Sequence, residues 1–340
     1  MVKTAQTVRN PMASGTARLL ARTLRDVTSV RGEDLRDERL LPEGVPPQKP
    51  VKPVSPAKAQ VVCVASGKGG TGKSVVTTNL AVLLAQRGIG VTLVDADMGL
   101  ANAHLLMGVM PRHDVSDVIA GRVRMKDAAI ECEGGVRLVS GGSGLAELAE
   151  LSFGKLRHLA GEMALLEEDG GMILVDLAAG IGPQVMRFLA AAHSILLVTT
   201  PDATALLDAY ATLKSAAALG IRTPVRMVVN RSADRLEAVG AYKKITAVAS
   251  RHGVCAELSF YGWIPQTRFA GESVSMRRPL ALAHPKSFAT AQLCSIASAL
   301  AGEHRAWVLR QSVFPISRDG DEAVPVASFS TRLAEAASRI

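Results

Sequence analysis

Eight residues, Gly67-Lys68-Gly69-Gly70-Thr71-Gly72-Lys73-Ser74, leave this chain little freedom in what it can become. They stand between a continuous apolar run, Val61-Val62-Cys63-Val64-Ala65, and a helix-forming stretch that begins at Val75 and ends near Gly88. The spacing G-x-x-x-x-G-K-[ST] between a buried strand and a helix predicts a phosphate-binding loop. Glycines let the backbone curl so that successive N–H groups point at phosphate oxygens, and the helix behind them turns its positive end to the same anion. Lys73 is then expected on the β and γ phosphates of ATP, and the Ser74 hydroxyl on Mg²⁺.

The rest of the chain supports that loop. Short apolar runs alternate with longer helical patterns from residue 60 onward, the rhythm of βαβ units in an α/β fold with a mostly parallel twisted sheet and helices on both faces. Strands are predicted over 60–65, 90–94, 136–140, 172–175, 194–199, 225–229 and 258–264. Helices are predicted near 73–87, 153–168, 183–192, 203–219, 234–252 and 286–302. Two of the strands end in carboxylates: Asp95 and Asp97 close one and Asp176 closes another. A lone strand-end Asp is usually a turn or helix cap. Three of them downstream of a phosphate loop point to a nucleotide–Mg²⁺ centre instead.

Composition narrows the alternatives. The four cysteines, Cys63, Cys132, Cys255 and Cys294, form no C-x-x-C pair, which argues against an iron–sulfur carrier or a zinc site on this fold. No apolar run reaches the roughly 18–20 residues a membrane span needs, and a cytoplasmic protein is expected. Of the net charge of +8, five units lie in residues 1–60, which carry 11 Lys/Arg against 6 Asp/Glu. Such a tail suits nucleic acid, an anionic membrane or an acidic protein, and equally a solvated arm.

Lys68 occupies a position that the general motif leaves open, and with it KGGTGKS resembles the deviant Walker A loop of the MinD/ParA ATPases. That resemblance runs from about residue 60 to about 300. Three stretches, residues 95–109, 134–152 and 176–192, are most similar to the flagellar-number regulators of the FlhG/FleN subfamily. The resemblance implies that ATP joins two copies face to face, with Lys68 reaching the partner's phosphates. It also implies that Lys68, Lys73 and Asp97 act in hydrolysis, Asp97 by positioning water, and that Asp95 and Asp176 hold Mg²⁺ through water alongside Ser74. Asn102 would belong to a nucleotide-sensing switch. Asn230 would touch adenine, or simply end its strand in a turn. The family's Pro-x-Asp near the base is replaced here by Pro265-Gln266-Thr267.

Four regions are therefore expected. Residues 1–41 form a basic tail with a short amphipathic helix over 16–27, and 42–59 form a linker with prolines at 42, 46, 47, 50, 53 and 56. The ATPase domain spans 60–304. An extension, 305–340, ends in an amphipathic helix with Phe329, Leu333, Ala336, Ala337 and Ile340 on one face. That helix either docks on an anionic membrane through 328–340, on the inner face of the cell membrane, or caps the domain. Candidate partners are a second copy, the membrane, and a flagellar GTPase or transcriptional regulator. A ParA-type protein that partitions DNA or cargo is the alternative reading.

Overall fold

The computed structural model describes residues 58–97, 99, 101–142, 152–254, 257–312 and 327–339. The tail expected over 1–41, most of the proline-rich linker, Cys255 and Ile340 lie outside the described residues.

Eight strands form one sheet in the order β3-β4-β2-β5-β1-β6-β7-β8. They are β1 (Gln60–Ala65), β2 (Val91–Ala96), β3 (Ile130–Cys132), β4 (Val136–Val139), β5 (Met172–Leu177), β6 (Ser194–Thr199), β7 (Val225–Ser232) and β8 (Leu258–Pro265). All neighbours pair in parallel except β3 with β4. β1, β5 and β6 are buried along their whole length, which is why they read as unbroken apolar runs rather than alternating ones.

Alternate residues of β1 enter different cores. Val61, Cys63 and Ala65 join one cluster and Val62 and Val64 the other. The second cluster is built with α1 (Lys73–Ala85), α2 (Ala103–Leu106), α10 (Leu280–Ala283) and α11 (Phe288–Ser312). The first takes α3 (Val115–Ile119), α4 (Met125–Ala128), α5 (Phe153–Glu167), α6 (Pro183–Ala191), α7 (Ala203–Ala218), α8 (Arg235–Arg251) and α12 (Phe329–Arg339). α9 (Arg268–Ser275) follows β8. Because β2 lies to one side of β1 and β6 to the other, the strand order reverses at β1, and a crevice opens at the carboxyl ends there.

One helix end and one strand differ most from the sequence expectation. The helix predicted to stop at 302 runs to Ser312, across the limit expected at 304, and Trp307 on its extra turns is buried and donates its indole N–H to the Lys58 carbonyl at 3.2 Å. The antiparallel strand β3 was not expected. It is three residues long and reverses through Gly134 (φ 87°) and Gly135 (φ 77°), too short for a periodic signal. Among the described residues no helix is long and apolar enough to cross a membrane.

The C-terminal helix α12 packs on α5 and α6. Phe329 and Leu333 are wholly buried, and the Phe329 ring lies 6.0 Å from that of Phe188. The buried carboxylate of Glu167, at the end of α5, caps its start by accepting from the N–H groups of Phe329 (3.0 Å) and Ser330 (2.8 Å). The face expected to meet a membrane is thus covered here, as the capping alternative requires.

Candidate functional site

The loop leaves β1 at Gly67, where any Cβ would lie 2.2 Å from the Asp208 carbonyl carbon, so only glycine lets it sit flush on α7. Gly72 caps α1 in the left-handed region (φ 83°), and a Cβ there would approach the Asn230 side-chain nitrogen to 2.4 Å. Asn230 itself is buried and donates from Nδ2 to the Thr71 carbonyl at 2.7 Å. The strand end of β7 thereby holds the curl of the loop, and the unpaired first N–H groups of α1 open onto the crevice.

Beneath the loop Lys73 is sunk against Asp176, Nζ to Oδ1 2.7 Å, with Thr77 donating to the same oxygen at 3.0 Å. Ser74 Oγ lies 3.4 Å from Lys73 Nζ. β2 and β5 place Asp95 and Asp176 in direct register. Burial, and then the charge of Asp176, push the Asp95 carboxyl up to about 7. Asp95 accepts from the N–H of Asp97 at 3.1 Å, and from those of Asn102 and Ala103 at 3.1 and 3.0 Å, so its carboxylate holds the first turn of α2. Asp176 Oδ2 and Thr71 Oγ1 are buried without a hydrogen-bond partner among the described residues. A crowded carboxylate pair with an orphaned oxygen, beside a serine hydroxyl, fits a hard divalent cation.

Above the loop lies a cleft of about 620 Å³ bordered by Lys68, Lys73, Asp97, Asn102, Leu106 and Val274. A second cavity of about 390 Å³ adjoins it across Gly70, Gly72 and Val75, with Asn230, Ile264 and Leu293 in its wall. The first is bordered by the phosphate loop and both its lysines, as a triphosphate needs, and the second has the largely apolar walls that suit a base. Thr267, where the resemblance leads one to expect Asp, caps α9 by accepting from the Phe269 N–H at 3.3 Å. It keeps the cap and removes the charge.

Lys68 stands apart from this buried chemistry. About half exposed on the rim, it donates to Thr204 Oγ1 at 2.7 Å and lies 3.8 Å from Asp202. Asp202 caps α7; hydrogen bonds from Thr200, the Ala205 N–H and Thr204 hold its carboxyl well below the usual range.

The model of the CobQ/CobB/MinD/ParA nucleotide binding domain matches residues 62–279. This chain belongs to that family. It is 35% identical over 238 residues to the antiactivator FleN of Pseudomonas aeruginosa, covering 70% of this chain and 85% of FleN. It is 31% identical over 247 residues to the flagellum site-determining protein YlxH of Helicobacter pylori, covering 70% of this chain and 81% of YlxH. Among solved structures it resembles the cell division ATPase MinD of Pyrococcus furiosus, with a TM-score of 0.61, 25% identity, and coverage of 72% of this chain and 99% of that one.

Lys68, Lys73, Ser74, Asp97 and Asn102 border the phosphate cleft, Asp95 and Asp176 stand in register across β2 and β5, and Asn230 lines the adjoining cavity; all are positions the sequence singles out. Other residues that the sequence did not single out touch these groups. Thr77 is one helical turn beyond Lys73, and Asp202 follows Pro201 at the end of β6, a strand-to-helix position like those of the other site carboxylates. Arg231, in the left-handed region (φ 57°) with Nη1 3.4 Å from the Gly70 carbonyl, gave no signal in the sequence.

Proposed function

We propose that the chain is an ATP-driven dimerising switch of the MinD/ParA type that controls the number or placement of flagella, hydrolysing ATP to end its own active state. The observation that carries this reading is the division of labour between two lysines. Lys73 is sunk beside Asp176, where it can meet a phosphate within its own chain, whereas Lys68 is half exposed on the rim, where it can meet the phosphate of another. Ser74, with Asp95 and Asp176 through water, would hold Mg²⁺, which would supply neutralising charge to the phosphates. Lys73 must exchange Asp176 for phosphate oxygens as nucleotide enters. Asp97, on the cleft wall, holds the attacking water, and Asn230, in the wall of the adjoining cavity, borders the base while fixing the loop. The flagellar part of the reading is supported by the names of FleN and YlxH.

α12 is the output. Its apolar face suits an anionic membrane but lies against α5 and α6, so release must come first. The docking is imperfect: neither Nε nor Nη2 of Arg332, both buried, finds a hydrogen-bond partner among the described residues, and burial lowers that guanidinium's pKa. Two released helices in one dimer bind a membrane with avidity that a single copy lacks.

The test joins light scattering with sedimentation on anionic vesicles, using the full chain, a truncation after Val326, and Lys68→Ala. ATP with Mg²⁺ is expected to dimerise and pellet the full chain, ADP is not, and truncation is expected to abolish pelleting alone. Lys68→Ala is expected to bind nucleotide yet stay monomeric; an unchanged dimer fraction would refute its role. Absence of pelleting in every state, with salt-sensitive DNA binding instead, would transfer the reading to a partition-type ATPase.

A further inference from the structure

Behind α2, on the side away from the phosphate cleft, lies a half-open cavity of about 360 Å³ lined in part by His104, Gly108, Arg112, Ser140 and Arg277. Most polar groups in its wall are already engaged. Asp114 caps α3 through the Ser116 and Asp117 N–H groups, His104 Nδ1 lies 3.2 Å from Ser140 Oγ, and His113 lies 3.3 Å from Asp117. Arg112 and Arg277 are different: neither has an ion-pair partner among the described residues, whereas Arg122 is held by Asp117 at 2.6 Å and Arg278 by Glu133.

Arg277 is also fixed in an uncommon way. It sits in the left-handed region (φ 50°), and its carbonyl rests where a Cβ on Gly108 (φ 69°) would be only 2.6 Å away. A non-glycine residue held so is a place to look for function. The mouth of the cavity is apolar, with Met110 87% exposed and Leu105 42% exposed. Two exposed guanidiniums without an ion-pair partner among the described residues, beside an exposed methionine, complement a carboxylate flanked by an apolar side chain.

We propose that this cavity is the docking point for an acidic segment of a partner protein, its carboxylate received by Arg112 and Arg277 and a neighbouring apolar side chain by Met110 and Leu105. The inference rests on the switch reading for what it reports. α2 is the wall between two chambers: Asn102, Leu105 and Leu106 border the phosphate cleft, while His104, Leu105 and Gly108 border this one. Its first N–H groups are tied to Asp95, so a change at the phosphates that moves α2 reshapes the partner's pocket. The coupling is reciprocal, and a bound partner shifts nucleotide affinity by the same factor.

The experiment is fluorescence anisotropy of a labelled peptide of alternating glutamate and leucine, titrated with the full chain in a non-hydrolysable ATP analogue with Mg²⁺, and in ADP. The peptide is expected to bind with affinity that differs between the two states. Its glutamine counterpart, and inorganic phosphate as competitor, are expected to show little effect. Arg112→Ala with Arg277→Ala is expected to weaken binding by about tenfold or more, and Arg122→Ala is not. Arg112→Glu with Arg277→Glu is expected to reverse the preference toward a lysine–leucine peptide. Equal binding of the glutamine peptide, displacement by phosphate alone, or an unaffected double variant would overturn the proposal. Light scattering on the same samples separates the two readings: a normal ATP dimer without peptide binding removes this one only, and peptide binding without a dimer removes the switch only.

Discussion

At the scale of single residues the site is built from charges that restrain one another. Asp95 and Asp176 are neighbours across two strands, and only one of them has Lys73 against it. Asp95 carries the strain as a carboxyl raised to about 7. Its folded value lies above its unfolded value, so the native state holds its proton more tightly than the unfolded chain does. The stability this brings is full below the ordinary carboxylate pKa of about 4 and is lost as pH rises through about 7. Thermal unfolding of the protein freed of Mg²⁺ and nucleotide is therefore expected to show a melting temperature that falls over that window, and Asp95→Asn to flatten the fall. A slope of the opposite sign, or one untouched by Asp95→Asn, would sink the assignment. Gly67 and Asn230 belong to the same scale. Sequence identifies the glycine, but that Asn230 serves the Thr71 carbonyl depends on β7 passing beside the loop, which no local pattern encodes.

At the scale of elements the clearest outcome is α12. Its 3.6-residue periodicity was plain in the sequence, but periodicity states only that a face seeks apolar contact, and a lipid surface and a protein groove satisfy it equally. Glu167, which decides where the helix sits, is 162 residues from Phe329 and gave no hint of its role. The long buried strands and the helices between them were legible because burial on both faces and helical periodicity each leave a strong signal. β3, α2, α3, α4, α9 and α10 are short, between 3 and 8 residues, and are held by caps and neighbours rather than by pattern. The docking of α12 is directly testable by hydrogen exchange over 327–339. Phe329→Ala is expected to cost about 3–5 kcal/mol at this contact and to bring exchange there close to that of an undocked helix. Arg332→Met, which removes two buried N–H groups without a hydrogen-bond partner among the described residues, is expected to strengthen docking by about 1 kcal/mol and to slow exchange. Faster exchange in Arg332→Met would mean that the arginine holds the helix down.

At the scale of the whole molecule the phosphate cleft, the cavity behind α2 and the groove beneath α12 lie on one sheet and are served by different helices. Nucleotide state can bias the others only through contacts it alone makes, and Asp97 bears on how long that bias lasts. Asp97→Ala is expected to bind ATP and dimerise while single-turnover hydrolysis slows by about a hundredfold; wild-type turnover would remove Asp97 from the water-positioning role. The seated C-terminal helix has one more consequence. A membrane must compete with a groove on the same chain, whose effective concentration does not fall as the protein is diluted. Adding lipid or protein in modest excess therefore does little, whereas any event that weakens the groove turns the balance abruptly, and attachment follows a threshold rather than a gradual titration.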